Sequence, residues 1–180
     1  MQKLQQSNLI LVFVLSFYSL CSAGVVSNPL FHGYNIRQWG QKAGIPENIQ
    51  AMVRTPDGYL WLGNEHGITR FDGSNATLFN RHSEKTLTED DCYSLFVTHD
   101  SILYCGLYNG LVVSYGDGHF KPTGGREVFK DKSILGICED HLGNLYFATD
   151  GAGVIRFDGK NFSAFTTREG LPSDGIQAIC

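Results

Sequence analysis

One phrase recurs through this chain, and the recurrence constrains its fold more than any single residue does. The stretch IQAMVRTPDGYLWLGNEHGITRFDG, Ile49 to Gly73, returns as ILGICEDHLGNLYFATDGAGVIRFDG, Ile134 to Gly159. A divergent copy, YSLFVTHDSILYCGLYNGLVVSYGDG, runs between them from Tyr93 to Gly118, and a further copy opens at Ile176 with IQAIC. Aligned on Met52, Phe96, Ile137 and Ile179, the copies are spaced by 44, 41 and 42 residues. A period of roughly 20 to 50 residues belongs to solenoids, propellers or arrays.

The content of each copy selects among these. A short apolar run is followed by a turn and then by an aromatic-rich run: Tyr59-Leu60-Trp61-Leu62, Ile102-Leu103-Tyr104-Cys105 or Leu145-Tyr146-Phe147-Ala148. A Gly-bearing loop, a third run, an Asp-Gly pair and a last run ending in Phe79 or Phe165 complete the unit. That is four short strands with hairpin signals between them. The second runs are apolar at successive positions, as in a strand covered on both faces. No helix of about 10 residues or more is predicted after residue 30, so helical solenoids are excluded. The expected fold is all-β: an incomplete β-propeller of three four-stranded blades, about 44–80, 87–123 and 131–167, with the first strand of a fourth at 170–180. NIRQWGQKAGIP at 35–46 aligns without a gap on NFSAFTTREGLP at 161–172. Asn35 to Trp39 therefore reads as the last strand of another blade, a ring-closing strand. Together with a count of only three blades, it leads to the expectation that the chain is the N-terminal part of a longer protein or a truncated copy of one.

GIPENIQAMVRTPDGYLWLGNEHGITRFDG, GICEDHLGNLYFATDGAGVIRFDGKNF and GLPSDGIQAI resemble the repeat of the two-component regulator propeller family. The middle copy departs from it. Ser101 replaces the turn glycine, Tyr115-Gly116-Asp117-Gly118 replaces Phe-Asp-Gly, and one residue is missing before Tyr104. The resemblance implies an extracytoplasmic sensor propeller, feeding a histidine kinase or diguanylate cyclase output that these residues do not contain. It also implies an oligosaccharide or other small-molecule ligand, the remaining blades as partners, and homodimerisation.

Lys3, the apolar stretch Leu9–Leu20 and the small residues Ser22-Ala23-Gly24 have the build of a secretory signal, 1–23, cleaved after Ala23 and followed by a linker, 24–33. An uncleaved anchor is the competing reading, but the apolar core falls short of the ~20 residues that span a bilayer. The expected location is thus extracytoplasmic. With 14 basic and 18 acidic residues the net charge is −4, and without a basic stripe there is no electrostatic case for nucleic acid. Cys92, Cys105, Cys138 and Cys180 read as small buried hydrophobes, since their spacing selects no pairing.

No catalytic motif appears, and neither a metal site nor a cofactor is expected. The Asp-Gly pairs read as hairpin turns and Trp61 as core, because Tyr104 and Tyr146 hold its place in the other copies. In a propeller the loops between second and third strands share one rim with those joining blades. Here they are Asn64-Glu65-His66, Leu107-Tyr108-Asn109 and Thr149-Asp150-Gly151-Ala152, with joining loops at 80–91, 123–133 and 166–175. Their residues vary while the strand phrase recurs, so the rim is free for recognition. The candidate ligand-binding residues are Asn64, Glu65, His66, Tyr108, Asn109, Thr149 and Asp150. The expected function is ligand sensing for a signalling receptor; the alternatives are a secreted interaction module or truncated remnant, or a propeller lyase or hydrolase.

Overall fold

A computed structural model describes residues 37–180. The expected signal, the linker and the first two residues of the ring-closing strand, Asn35 and Ile36, lie outside the described residues.

Twelve strands form three antiparallel four-stranded sheets in simple up-and-down order. The first blade comprises β1 (Ala51–Arg54), β2 (Leu60–Asn64), β3 (Gly67–Phe71) and β4 (Ala76–Phe79). The second comprises β5 (Cys92–Val97), β6 (Leu103–Leu107), β7 (Val112–Gly116) and β8 (His119–Pro122). The third comprises β9 (Ile134–Glu139), β10 (Leu145–Thr149), β11 (Val154–Phe157) and β12 (Phe162–Phe165). Between the second and third blades sits α1 (Arg126–Phe129), a single turn with no counterpart in the other joining loops. The described residues thus form an all-β fold of three β-propeller blades, stacked so that β5 packs on β1 and β2, and β9 on β5 and β6.

Cross-strand register corrects the alignment of the middle copy. Leu62, Cys105 and Phe147 hold one position in the three second strands, and their partners on the first strands are Met52, Leu95 and Ile137. Leu95, not Phe96, is therefore the equivalent of Met52, and no residue is missing before Tyr104. The bulge at the start of β5, Tyr93 between the pairs Cys92↔Leu107 and Ser94↔Gly106, recurs in β9, where Leu135 lies between Ile134↔Thr149 and Gly136↔Ala148, so the two copies keep one register. Ser101 holds the position of Gly58 and Gly143 and adopts the same left-handed backbone, φ 67° against 97° and 82°.

The two ends depart from expectation. Arg37–Trp39 joins no ladder; with no third strand beside it, the segment covers the outer face of the first blade, Trp39 packing edge-on to Phe71 at 5.5 Å. Ile176–Cys180 is likewise not a strand: the bridge Asp150↔Gly175 precedes it, and Ile176 N–H donates to Thr149 O at 2.9 Å, but no ladder follows. The 3₁₀ turns Gln41–Ala43 and Thr167–Glu169 do occupy matching places in the gapless alignment, each closed by a left-handed glycine, Gly44 or Gly170.

The blades are joined by two apolar layers of different make. In the first, Trp61 lies 4.7 Å from the Tyr115 ring and near Phe79 and Phe120. Arg70 caps the group, 4.6 Å over Tyr59 and 5.8 Å over Trp61, and donates to the Tyr115 hydroxyl at 3.0 Å. In the second layer, Phe129 of α1 packs against Phe147 and Phe162. Cys92 and Cys105 are fully buried, and burial pushes the Cys92 thiol up to about 12. Cys138 is half-buried and Cys180 exposed, so the reading as buried hydrophobes fits only two of the four, all of which are free thiols.

A serine in the left-handed region costs about 1 kcal/mol that glycine does not. Ser101→Gly is therefore expected to stabilise the chain by about 0.5–1 kcal/mol, measured by urea denaturation; an unchanged or lower midpoint would count against the shared turn geometry.

Candidate functional site

Up-and-down strand order brings the β2–β3, β6–β7 and β10–β11 turns to the same rim as the loops joining the blades. Backbone hydrogen bonds and one serine stitch them together. Tyr108 N–H donates to Asp91 O at 2.9 Å, Ser133 Oγ donates to Tyr108 O at 3.1 Å, and Asp150 N–H donates to Ser133 O at 3.0 Å. The last loop joins as Gly151 and Gly153 N–H donate to Asp174 O at 3.1 and 2.8 Å.

The seven candidate residues divide by their surroundings. Asn64 is fully buried: its Nδ2 donates to Glu47 O at 3.0 Å and its Oδ1 accepts from His66 N–H at 3.0 Å. Thr149, its register equivalent, is also fully buried, its Oγ1 donating to Gly153 O at 2.7 Å and accepting from Ala152 N–H at 2.8 Å. Both side chains are spent on holding their turns, so neither is open to a ligand. Asn109 accepts from Leu111 N–H at 3.1 Å in the same manner but stays partly exposed. Glu65 and His66 are exposed and 3.7 Å apart. Tyr108, 54% exposed, and Asp150, exposed, are the two that the stitched loops bring into one patch.

The patch holds residues that the sequence did not single out. Tyr93 sits with its ring 6.2 Å from that of Tyr108, tilted by 32°. Burial, then the neighbouring Asp91, and then Tyr108 and Asp150 push its phenol up, so at neutral pH it keeps its proton. One Asp91 carboxylate oxygen is buried without a hydrogen-bond partner. The Lys132 side chain runs along Gly151. Two aromatic rings flanked by carboxylates and an ammonium can stack on a sugar ring and hydrogen-bond its hydroxyls. Tyr93 stands where the third blade has Leu135, at the same bulge, a match that only cross-strand register reveals.

On the opposite rim, His99 reaches across to the third blade. Its N–H donates to Glu139 Oε2 at 2.8 Å, its Nδ1 lies 2.5 Å from Glu139 Oε1, and its Nε2 lies 3.1 Å from Asp100. The Glu139 hydrogen bond, with the Asp100 and Glu139 charges adding, holds this imidazole above its ordinary 6.5. Among the described residues no group of three His, Cys, Asp or Glu is placed to hold a metal ion.

Residues 44–66 match the family model of the two component regulator propeller. The chain carries a two component regulator propeller repeat. Solved structures share the fold of its blades. One is the extracellular domain of a protein described as a one component system from B. thetaiotaomicron, at a TM-score of 0.63 and 22% identity over 78% of this chain and 20% of that one. Another is the extracellular domain of a protein described as a hybrid two component system from the same organism, at 0.66 and 15% over 78% and 20%. A third is virginiamycin B lyase from Staphylococcus aureus, at 0.51 and 14% over 71% and 42%. The chain thus spans about a fifth of the length of the first two domains. No curated protein matches it significantly.

Two outcomes follow for the residues of these repeats. Asn64→Ala, which leaves a buried turn without its hydrogen bonds, should cost about 1–3 kcal/mol, whereas Asp150→Asn on the surface should stay within about 0.5 kcal/mol, both read by urea denaturation. The His99 imidazole should titrate above 6.5 by NMR and fall back in Glu139→Gln. Because the folded value is the raised one, the stability this pair gives is complete below 6.5 and is lost as pH climbs through the folded value.

Proposed function

We propose that this chain is part of an extracytoplasmic ligand-sensing β-propeller of a bacterial signal-transduction receptor. It binds a small molecule or oligosaccharide on the rim that carries Tyr93, Tyr108 and Asp150, and relays occupancy to a kinase or cyclase output outside these residues. The observation that carries the reading is the two component regulator propeller match at 44–66, in a fold shared with extracellular domains described as one component and hybrid two component systems. The apolar stretch Leu9–Leu20 supports export. The rim chemistry supports a polyhydroxylated ligand, for it pairs stacking faces with carboxylates. In a receptor of this kind the ligand acts by favouring one of two arrangements of the sensor, and that preference reaches the output.

The enzyme reading has a relative in virginiamycin B lyase but little chemistry here. A general base needs a ring nitrogen free to take a proton, and both nitrogens of His99 face carboxylates. His66 lies exposed beside Glu65 with no further partner to orient it.

The test is a thermal-shift screen of neutral and acidic oligosaccharides against the purified exported chain, repeated on Tyr108→Ala. A saccharide that raises the melting temperature of the wild-type chain, with the shift lost in the variant, is the expected result. If no saccharide acts, or if the shift survives the loss of Tyr108, the rim is not a saccharide sensor site.

A further inference from the structure

We propose that the cleft between the second and third blades, on the rim opposite the stitched loops, binds a small organic cation with an apolar body, of the aryl-alkyl amine class. The cleft has a volume of about 360 Å³, within the usual range for small-ligand sites.

It exists because the two blade junctions are packed differently. In the first, Trp61 lies under Arg70 and fills the space against Tyr115. At the second, cross-strand register puts Tyr104 in place of Trp61 and Ser114 in place of Arg70. Phe129 of α1 makes up part of the lost volume against Phe147 and Phe162, and the space beside Tyr104 stays open.

Its lining is mixed, an apolar side facing an acidic mouth. Ile102, Tyr104, Leu142, Leu145 and Phe157 line it. Leu142 is 74% exposed at the tip of a turn, where the matching turns carry Asp57 and Asp100. That exposure is imposed by a fixed loop. Asp140 accepts from the Leu142 and Asn144 N–H groups at 2.9 Å each, from Asn144 Nδ2 at 2.7 Å and from the Tyr146 hydroxyl at 3.1 Å. At the mouth stand two carboxylates, Asp100 and Glu139, and one imidazole, His99. No Lys or Arg lines the cleft, so its charge is negative whether His99 is protonated or not. A cationic head is drawn to Asp100 and to the Tyr104 ring, and an apolar body covers Leu142 and Phe157. An anion of the same shape meets two carboxylates and is refused.

The site is independent of the sensor reading, because it shares no residue with the other rim. The test is NMR titration of the full chain with 2-phenylethylamine, and with phenylacetate as the anionic counterpart, following the His99 imidazole and the Leu142 methyls. Saturable shifts are expected with the amine and none with the acid. Tyr104→Trp combined with Ser114→Arg, which rebuilds the plug of the first junction, should weaken the amine by tenfold or more. Leu142→Ser, at an exposed tip, is the second variant should the double one not fold, and it too should weaken binding severalfold. Absence of saturable shifts at millimolar amine, equal response to phenylacetate, or unchanged affinity in both variants would overturn the proposal.

Discussion

Stacking of one blade on the next depends on a side chain that is missing. One residue from the end of β2 and of β6, Gly63 and Gly106 let the first strand of the following blade come close. A Cβ on Gly63 would sit 2.8 Å from the Cys92 sulfur, and one on Gly106 would sit 2.4 Å from Ser94 Oγ and 2.5 Å from Ile134. A Cβ at either place would force a neighbouring side chain aside. Because the approach is so close, Ser94 Oγ can donate to Ile134 O at 2.8 Å across the junction. The inner edge of the stack is therefore fixed by steric contact and hydrogen bonding, and the outer part of each junction is left for side chains to fill.

How they fill it differs, and the difference shows what an inner anchor permits. The first junction is a compact aromatic group in which Trp61 also donates to Thr55 Oγ1 at 3.1 Å, leaving its one polar atom satisfied. The second draws its aromatic packing from the joining loop, through Phe129, and its polar link from His99 and Glu139. Offset-stacked and edge-on ring pairs each add about 0.5–1.5 kcal/mol beyond the area they bury, while an exposed ion pair adds little. The second junction is on this ground the softer of the two.

Much of this architecture could be read from residues alone, for a reason specific to repeats. Each strand was announced by its turns, and each turn was seen in more than one copy, so an ambiguous segment such as Val112–Gly116 was read with the help of Gly67–Phe71 and Val154–Phe157. What stayed hidden was register and short-range hydrogen bonding. The bulge at Tyr93, shared with Leu135 of the third blade, is a local irregularity of backbone that leaves no trace in composition. Asn64 and Thr149 have the polarity of ligand contacts, yet polarity at a turn serves the turn's own N–H and C=O groups equally well, and burial decides between the two. A helix of one turn, Arg126–Phe129, is too short for periodicity to reveal.

The stitching of the loops through Asp91 O, Tyr108 N–H and O, Ser133 and Asp150 N–H has a consequence for how such a surface changes over generations. Of its donors and acceptors all but the Ser133 hydroxyl belong to the main chain. Substitution at 91, 108 or 150 alters what the surface offers without loosening the loops that present it. The scaffold and its chemical content are inherited separately, so new specificities are reachable by single replacements, each tried on a frame that stays in place.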